Sequence, residues 1–594
     1  MKITAKKLNI LFFVLGVTGA GCVSLGTLVG GFPFRFFQPH EGSREERIAH
    51  APAAMVVTAH PLASDAGVEM LKAGGNAIDA AVAASFVISV VRPQSTGVGG
   101  GGFMLVHHAA HQRTEAFDFR ERAPANATAK LFSSLSGKAT VDGPMAIATP
   151  GLVSGLSDIH QTSGRLPWRT VLQPAIRIAR DGFPVYPQLA TALKDRADVL
   201  RKFPSSTAIF FRNGRPLELG ETLIQNDLAA TLTRVAEVGS RDFKDGETAR
   251  RIIASIQSQG GLLQARDLAD YRMIRRQVVT GTFAGHRIVS MPPPSSGGVH
   301  AIEILNILRN DVNQIKSAGF ASPLHWHLMA EAMRRAFADR ALHMGDPDFT
   351  NVPVARLIGL EHADAWRKSI NNHKATPSVT LDVPSTALLT ESDSTTHISV
   401  IDAEGNAAAT TQTINYTFGS CMVAEGTGIV MNDEMDDFAR SSNKPNAYGL
   451  TGSVANEIAP FKTPLSSMTP TLVFNGAGKV IMVLGSPGGP RIISATLQTI
   501  FNSLALKMSP PDAVHAPRIH HQWAPDKLFV EKTFAPAGTL SALESMGHEI
   551  VDVDHIGDVQ AIFVSEGSNE TDHSTAQVTG VSDTRSEGRP RGLK

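Results

Sequence analysis

The apolar positions of this chain recur with two periods, and the change from one to the other divides it. Ala63, Ala66, Gly67, Met70 and Leu71 make one helical stripe, which the pair Gly74-Gly75 stops. Ala77–Val91 is apolar almost all round and predicts a helix buried on every side. A glycine run and a strand, FMLVHH (103–108), follow. Residues 150–290 read as helices with short strands and carry no recognisable chemistry. HWHLMAEAMRRAFADRALHMG (325–345) predicts an amphipathic helix, with Trp326, Met329, Met333, Ala336 and Phe337 on one face and Gly345 at its end. Residues 376–394 keep no period and read as a flexible or exposed segment. At Thr395 alternation takes over: HISVID, AAATTQT, GIVMN, PTLVFN and KVIMVLG predict strands as far as about residue 485. Two helical stretches (491–516 and 537–547), a strand QAIFV (560–564) and a polar tail close the chain. No internal repeat interrupts this order. Helix pairs with two sets of strands imply a layered α/β protein with mainly antiparallel sheets.

Composition adjusts this picture little. The chain has 594 residues, 42% apolar and 19% charged, which suits a large, well-filled core. Length alone suggests about 3–5 domains. Lys+Arg and Asp+Glu balance at 55 each, and no long run of like charge breaks the balance. Nucleic acid is therefore not an expected partner.

The N-terminus reads as targeting. Lys2, Lys6 and Lys7 precede the apolar LNILFFVLGV (8–17), then come Gly19-Ala20-Gly21 and Cys22. An ordinary signal-peptidase site is favoured. A lipid-modified Cys22 remains open, although Gly19 stands where that motif usually has Leu. So does an uncleaved anchor, because Leu8–Phe32 carries no charge. Each of the three puts the body of the protein outside the cytoplasm, in a bacterial periplasm or beyond. A polar linker, HEGSREERIAH (40–50), follows. The second cysteine, Cys421, has no obvious disulfide partner and reads as a small buried apolar residue.

Three familiar patterns fail on context. GVGGGG (97–102) satisfies GxGxxG but leads into a strand, whereas a dinucleotide needs a helix N-terminus behind its pyrophosphate. His107-His108, His325-x-His327 and His520-His521 lack the carboxylates or spacing of a zinc site and read as exposed or hydrogen-bonded histidines. GxxxxGK[ST], HExxH and GxSxG do not occur. No metal or cofactor is expected.

The Thr-Thr pair that opens the first alternating strand is different. A threonine hydroxyl is a weak nucleophile until a base takes its proton, and an N-terminal threonine carries that base as its own α-amine. An α-amine titrates near ~7.7–8.0, against ~10.4 for lysine, so much of it is free near neutral pH. Thr395 reaches that state only if the Ser394–Thr395 bond is cut, and its place between an aperiodic segment and a buried strand suits self-cleavage. DAEGN (402–406) has turn chemistry. A turn centred on Glu404 places Thr413 directly opposite Thr395, each nine residues from the centre. A second hydroxyl there can orient or activate the first, although β-branched threonines also simply suit strands.

The chain resembles the γ-glutamyltranspeptidases, N-terminal-nucleophile (Ntn) hydrolases made as one precursor that cuts itself into a large and a small subunit. The motifs that carry the resemblance run in order from about Met55 to Arg585. They are GGNAIDAAVA (74–83), GVGGGGFML (97–105), DFRERAP (118–124), MPPPSSGG (291–298), TTHISVID (395–402), TINYTFGS (413–420), NDEMDDF (432–438), PLSSMTP (464–470), GSPGGPRII (485–493) and HAPRIHHQW (515–523). The fold this resemblance implies is a four-layer αββα sandwich with antiparallel central sheets. Implied too are residues 1–35 as signal or anchor, 36–394 as large subunit and 395–594 as small, catalytic subunit, the two forming a heterodimer.

By position, the resemblance makes Thr395 the nucleophile and Thr413 its support. A γ-glutamyl group is an amino acid at its far end. Its α-carboxylate would meet Arg120, Ser466 and Ser467, the arginine offering a bidentate fork. Its α-ammonium would meet Asn415, Glu434 and Asp437. Gly488 and Gly489 would present backbone N–H groups to the oxyanion, a kind of donor whose loss typically costs ~10²–10³ in kcat.

Some positions depart from the family pattern. Pro490 stands where Ser is common, Phe461 and Thr463 flank Lys462 where a more basic approach is frequent, and the C-terminal end keeps SD-x-R without an aromatic close. None touches the nucleophile. Relatives of this fold include cephalosporin (glutaryl) acylases and enzymes acting on poly-γ-glutamate. The stretch between NDEMDDF and PLSS is full length and contains Tyr448, which matches a lid over a small donor. The favoured reading is hydrolysis of glutathione and other γ-glutamyl compounds, with transfer to amino acids or dipeptides. An acylase-like specificity is the runner-up, and an uncleaved, anchored, non-catalytic binding protein comes third.

Overall fold

The computed structural model describes residues 43–135, 138–381, 394–439, 454–531, 535–565 and 577–593. The proposed leader, Cys22 and Tyr448 lie outside the described residues, as do residues 382–393 of the aperiodic segment.

Fourteen strands make two antiparallel sheets, and in chain order they and the helices that cover them run as follows. The chain begins with β1 (Ile48–Ala51), β2 (Ala54–Thr58), α1 (Pro61–Lys72), α2 (Ala77–Val91), β3 (Gly101–His108) and β4 (Arg113–Asp118). The middle carries α3 (Trp168–Asp181), α4 (Asn226–Val238), β5 (Ile274–Arg276), β6 (Val279–Phe283), β7 (His286–Ser290), α5 (Gly297–Leu308), α6 (Pro323–His343) and α7 (Leu360–Lys368). Then come β8 (Thr396–Ile401), β9 (Ala407–Thr413), β10 (Thr471–Phe474), β11 (Val480–Gly485), α8 (Arg491–Leu504), β12 (Gln560–Val564), β13 (Val578–Ser582) and β14 (Arg591–Leu593). One sheet has the order β14-β2-β8-β9-β3-β4-β5 and the other β1-β13-β12-β11-β10-β7-β6.

Alternation along the strands builds the layers. Met55, Val57, Phe103, Leu105, Leu472, Val483 and Ile562 pack between the sheets. Val56, Met104, Ile398 and Val400, on the opposite face of their strands, meet α1–α4. Ile288, Val473, Met482 and Ala561 meet α5, α6 and α8. The result is the four-layer αββα sandwich. Residues 38–594 group as one unit, fewer than the domains that length suggests, because both halves of the chain feed the same two sheets.

The two N-terminal helices form as their sequence predicts. Asn76 caps α2 by accepting from Ile78 and Asp79 N–H, the Asp79 carboxylate answers the Asn76 N–H, and all fifteen residues of α2 are buried.

Helix α6 departs from expectation. It is buried on its charged face as well as its apolar one, because Glu331, Arg334, Arg335, Asp339 and Arg340 find partners inside the protein. The aperiodic segment is also anchored at both ends. Thr376 N–H donates to Glu331 (3.1 Å), Ser378 N–H to Asp526 (2.7 Å), and Ser394 is buried. The polar tail holds two strands, β13 and β14, which the sequence pattern did not mark. Among the described residues no helix is long and apolar enough to cross a membrane.

Candidate active site

Thr395 stands one residue before β8, and the hairpin sets what faces it. Asp402 Oδ1 accepts from Glu404 N–H (2.9 Å) and Asn406 N–H (3.0 Å), while Gly405 turns the corner at φ +84°. The pairing that results sets Thr396 against Gln412, so the next step of the register opposes Thr395 and Thr413. Their hydroxyl oxygens lie 3.0 Å apart. By strand parity both point to the face of Ile401 and Ala409, between the sheets.

Thr413 Oγ1 accepts from Asn415 N–H (2.8 Å), which leaves its own proton free for Thr395. Thr395 N–H donates to Ser95 O (3.1 Å). The backbone runs unbroken from Ser394 into Thr395, where φ is +103°. A β-branched residue there is strained, at a typical cost of ~1–3 kcal/mol.

The glycine run explains itself at this point. A Cβ on Gly100 would lie 1.9 Å from Thr413 O, so the chain passes beside the second threonine only without a side chain. That is close backbone packing, not phosphate binding.

Across the gap, the loop that leaves β11 for α8 carries Gly488 (φ +123°) and Gly489 (φ +53°). Their carbonyls accept from Arg491 and Ile492 N–H, and among the described residues neither glycine N–H donates to another protein group. Pro490 follows with no N–H to compete.

One open cleft, about 630 Å³ with the solvent-open space at its mouth included, gathers Thr395, Thr413, Asn415, Arg120, Glu434, Asp437, Ser466, Ser467 and Gly489. Gly488, in the same loop, does not line the cavity.

The polar wall is charge-dense. Arg120 is buried, with Nη1 2.7 Å from Glu434 Oε1, Nη2 2.5 Å from Asp437 Oδ2, and Nε donating to Pro464 O (3.1 Å). Glu121 adds a third carboxylate 3.9 Å from Nη1. Burial pushes Glu434 up to about 8 and Glu121 up to about 7, with Arg120 opposing the rise in both. Asp437 is raised well above the ordinary carboxylate range by burial and then by Glu434. Three acids therefore share one guanidinium, and burial favours their protonated forms until a cation arrives to compensate them.

Ser466 and Ser467 are held from below by the MPPPSSGG segment. Ser466 N–H donates to Pro294 O (2.9 Å), and Ser296 Oγ donates to Ser466 O (2.8 Å). Arg340, which sequence reasoning missed, lines the same cavity from α6. Its Nη2 donates to Ser467 Oγ (3.2 Å) and its Nε to Ser296 Oγ (3.0 Å). Desolvation lowers its pKa to about 10. Because Ser467 Oγ accepts from Arg340, its hydroxyl proton is directed elsewhere. A buried arginine on a helix otherwise expected to be amphipathic was the only signal.

Other motif residues are structural. His397 is buried between Thr411 Oγ1 (2.8 Å) and Ser399 Oγ (3.1 Å), and burial lowers its pKa to about 3. Asp436 accepts from Thr140 Oγ1 (2.6 Å). Lys462 turns its ammonium to the carbonyls of Ala455 (2.7 Å) and Glu457 (2.9 Å). Cys421 is buried and unpaired, its thiol pushed up to about 12 by burial.

Comparison with known proteins identifies the family of the chain and of its fold. The family model described as Gamma-glutamyltranspeptidase matches residues 63–593. The chain is 43% identical to the glutathione hydrolase proenzyme of Escherichia coli (strain K12) over 528 residues, 88% of this chain and 90% of the relative. It is 38% identical to the acylase ACY 1 proenzyme of Pseudomonas sp. (strain SE83) over 517 residues, 85% of this chain and 89% of the relative. Among solved structures, a cephalosporin acylase from Bacillus halodurans superimposes with a TM-score of 0.81 at 28% identity, covering 94% of this chain and 99% of that one.

Proposed function

The chain belongs to the gamma-glutamyltranspeptidase family, and from that premise we propose that it is a self-processing enzyme that opens γ-glutamyl amide bonds, glutathione among them, through a γ-glutamyl ester on Thr395. The observation that carries this reading is the Arg120 guanidinium paired with Glu434 and Asp437 in the same cavity as Thr395.

Processing comes first. Thr395 Oγ1 attacks the Ser394 carbonyl carbon, the C–N bond breaks, and the α-amine leaves with the hydroxyl proton. Water then opens the resulting ester, giving a Ser394 carboxylate and a free Thr395 amine. Strain at φ +103° favours leaving the intact peptide. The freed amine keeps Ser95 O as an acceptor, which orients its lone pair toward its own hydroxyl.

In turnover the amine takes the proton of Thr395 Oγ1 as the oxygen attacks the γ-carbonyl carbon. Thr413 donates to the attacking oxygen, and the Gly488 and Gly489 N–H groups receive the oxyanion. The amide nitrogen departs with the proton held by the amine. Water, or the amine of an amino acid or dipeptide, then attacks the ester and restores Thr395.

Recognition follows from charge. The substrate α-carboxylate takes the face of Arg120 toward Ser466 and Ser467, and its ammonium takes Asn415, Glu434 and Asp437. A glutaryl chain brings no ammonium, so it would gain nothing from the ionisation of these acids, whereas a γ-glutamyl ammonium gains a charge-assisted hydrogen bond from it. This favours γ-glutamyl donors over the acylase alternative. The full-length stretch between NDEMDDF and PLSS, which in sequence resembles the family's lid segment, favours a small donor over a polymer. The basic and apolar residues before residue 35 support export, with the body outside the cytoplasm.

The deciding experiment compares kcat/KM for glutathione and for a glutaryl amide on purified, processed protein. A preference for glutathione of at least about tenfold is expected. A preference for the glutaryl amide would reverse the assignment. Thr395→Ala should remain one uncut, inactive chain on a denaturing gel, and cutting of that variant at Ser394–Thr395 would assign processing to another residue.

A further inference from the structure

Beside Arg340 on the same helix, at Asp339, three helices bring together a second set of chemistry-bearing side chains. Glu303 comes from α5, Asp339 from α6 and His362 from α7. One ligand atom from each lies within 4.8 Å of the others. His362 Nε2 is 2.8 Å from Asp339 Oδ2 and 3.5 Å from Glu303 Oε1. Ligands about 2.0–2.1 Å from a tetrahedral Zn²⁺ stand about 3.3 Å from one another, so small side-chain shifts would let the three atoms close on one ion.

The surroundings fit a built site. Glu303 is fully buried, and its two oxygens differ. Oε2 is 2.7 Å from His300 Nδ1, while Oε1, on the side of His362 and Asp339, makes no hydrogen bond. Trp366 Nε1–H donates to Asp339 Oδ2 (2.7 Å). Outer hydrogen bonds of this kind fix the rotamers of metal-binding carboxylates. His343, one turn after Asp339 on α6, has its Nε2 3.7 Å from Asp339 Oδ1, but that nitrogen accepts from Arg356 Nη2 (2.8 Å), which leaves the fourth position to water. His362 is 16% exposed and gives an ion a way in.

We propose that Glu303, Asp339 and His362 form a binding site for a divalent transition-metal ion of the zinc type. One imidazole nitrogen and two carboxylates are a hard-to-borderline donor set suited to Zn²⁺ rather than to a soft cation. The ion pins α5, α6 and α7 to one another. Through Asp339 it braces the turn of α6 that presents Arg340 to Ser467. It takes no part in the chemistry at Thr395. The chain's histidine pairs in sequence did not point here, because the three ligands come from separate helices and only the fold assembles them.

The test uses full-length processed protein carrying no histidine tag, stripped with a chelator and dialysed. Zn²⁺ is titrated against a chromophoric competitor, and Co²⁺ is added separately to read visible d–d absorption. One equivalent of Zn²⁺ and a Co²⁺ spectrum of four- or five-coordinate type are expected. Glu303→Gln and His362→Gln should each weaken Zn²⁺ binding at least tenfold. Uptake below about 0.2 equivalents, or an affinity that both substitutions leave unchanged, overturns the proposal and makes the trio a proton-bridged ion cluster. Should neither variant fold, the wild-type Co²⁺ spectrum decides, and absence of d–d bands counts against the site.

Discussion

Glu434 shows most directly how one side chain ties recognition to stability. Burial raises its pKa from the usual 4.5 to about 8, against the pull of Arg120. A carboxyl whose pKa rises on folding contributes fully below its unfolded pKa, and that contribution is lost as pH climbs through the folded value. The wild-type Tm should therefore fall between pH 5 and pH 8 more steeply than that of Glu434→Gln, whose amide does not titrate. Thermal melts of both proteins across that range check it, and parallel slopes would remove Glu434 from the account. On the proposed reading the same shift governs binding. A substrate ammonium needs the charged form, so the wild-type KM for a γ-glutamyl donor should drop from pH 7 to pH 8. In Glu434→Gln it should stay flat and about tenfold higher, the scale of one charge-assisted hydrogen bond. Arg340 acts one step further back, through Ser467 Oγ. Arg340→Lys keeps the charge but loses the fork that spans Ser296 and Ser467. KM should rise about tenfold with kcat changed much less, and an equal fall in kcat would place Arg340 on the reacting atoms instead.

At the scale of elements, the β8–β9 hairpin and the segments that crowd it decide where the two hydroxyls meet. Gly100 is the tightest of these approaches, with Thr413 O 1.9 Å from where a Cβ would stand. Gly100→Ala should cost about 1–3 kcal/mol through forced backbone movement. Because the movement falls on Thr413, processing and turnover should fail before the fold does. A denaturing gel and a melt on one sample separate the two effects, and normal processing would show that β9 can yield. The hairpin was legible in sequence because its register depends only on a turn centre and a period of two. Thr395, Thr413, Arg120 and the serine pair were legible because each sits in a contiguous motif. The charged face of α6 was not: Glu331 pairs locally with Arg334 and Arg335, but the partners that bury Arg334, Arg335 and Arg340 come from distant segments that no local period reports. Strands β13 and β14 were missed for a related reason. Gly580 and Gly592 lie within them, and their pairing partners, β1, β12 and β2, are far away in sequence. Arg585 of the SD-x-R pattern makes sense only in that setting. It bonds Glu531 through Nε (2.7 Å) and Asp583 through Nη1 (2.7 Å), and Arg518 holds the other Asp583 oxygen (2.7 Å). Arg585→Ala leaves two carboxylates buried with less compensation and should destabilise by about 3–5 kcal/mol in urea unfolding.

For the whole molecule, the order of strands predicts what a cut at Ser394–Thr395 does and does not separate. In one sheet β8 and β9, which follow the cut, lie between β2 and β3, which precede it, and β14 flanks β2 on its other side. In the other sheet the central β13, β12, β11 and β10 all follow the cut, while β1, β7 and β6 at the edges precede it. Every ladder between the two pieces therefore survives the loss of one peptide bond, as does the apolar layer between the sheets. The piece before the cut, made alone, would face solvent with the edges of β2 and β3 unpaired and one side of the sandwich uncovered, the state that drives aggregation. The processed protein should run as two bands on a denaturing gel and as one peak in native size exclusion. Residues 36–394 expressed without the rest should be insoluble and should recover when 395–594 is co-expressed. Two native peaks, or a soluble monomeric 36–394, would mean that the pieces fold independently. The interleaved sheets would then be a consequence of assembly and not its cause.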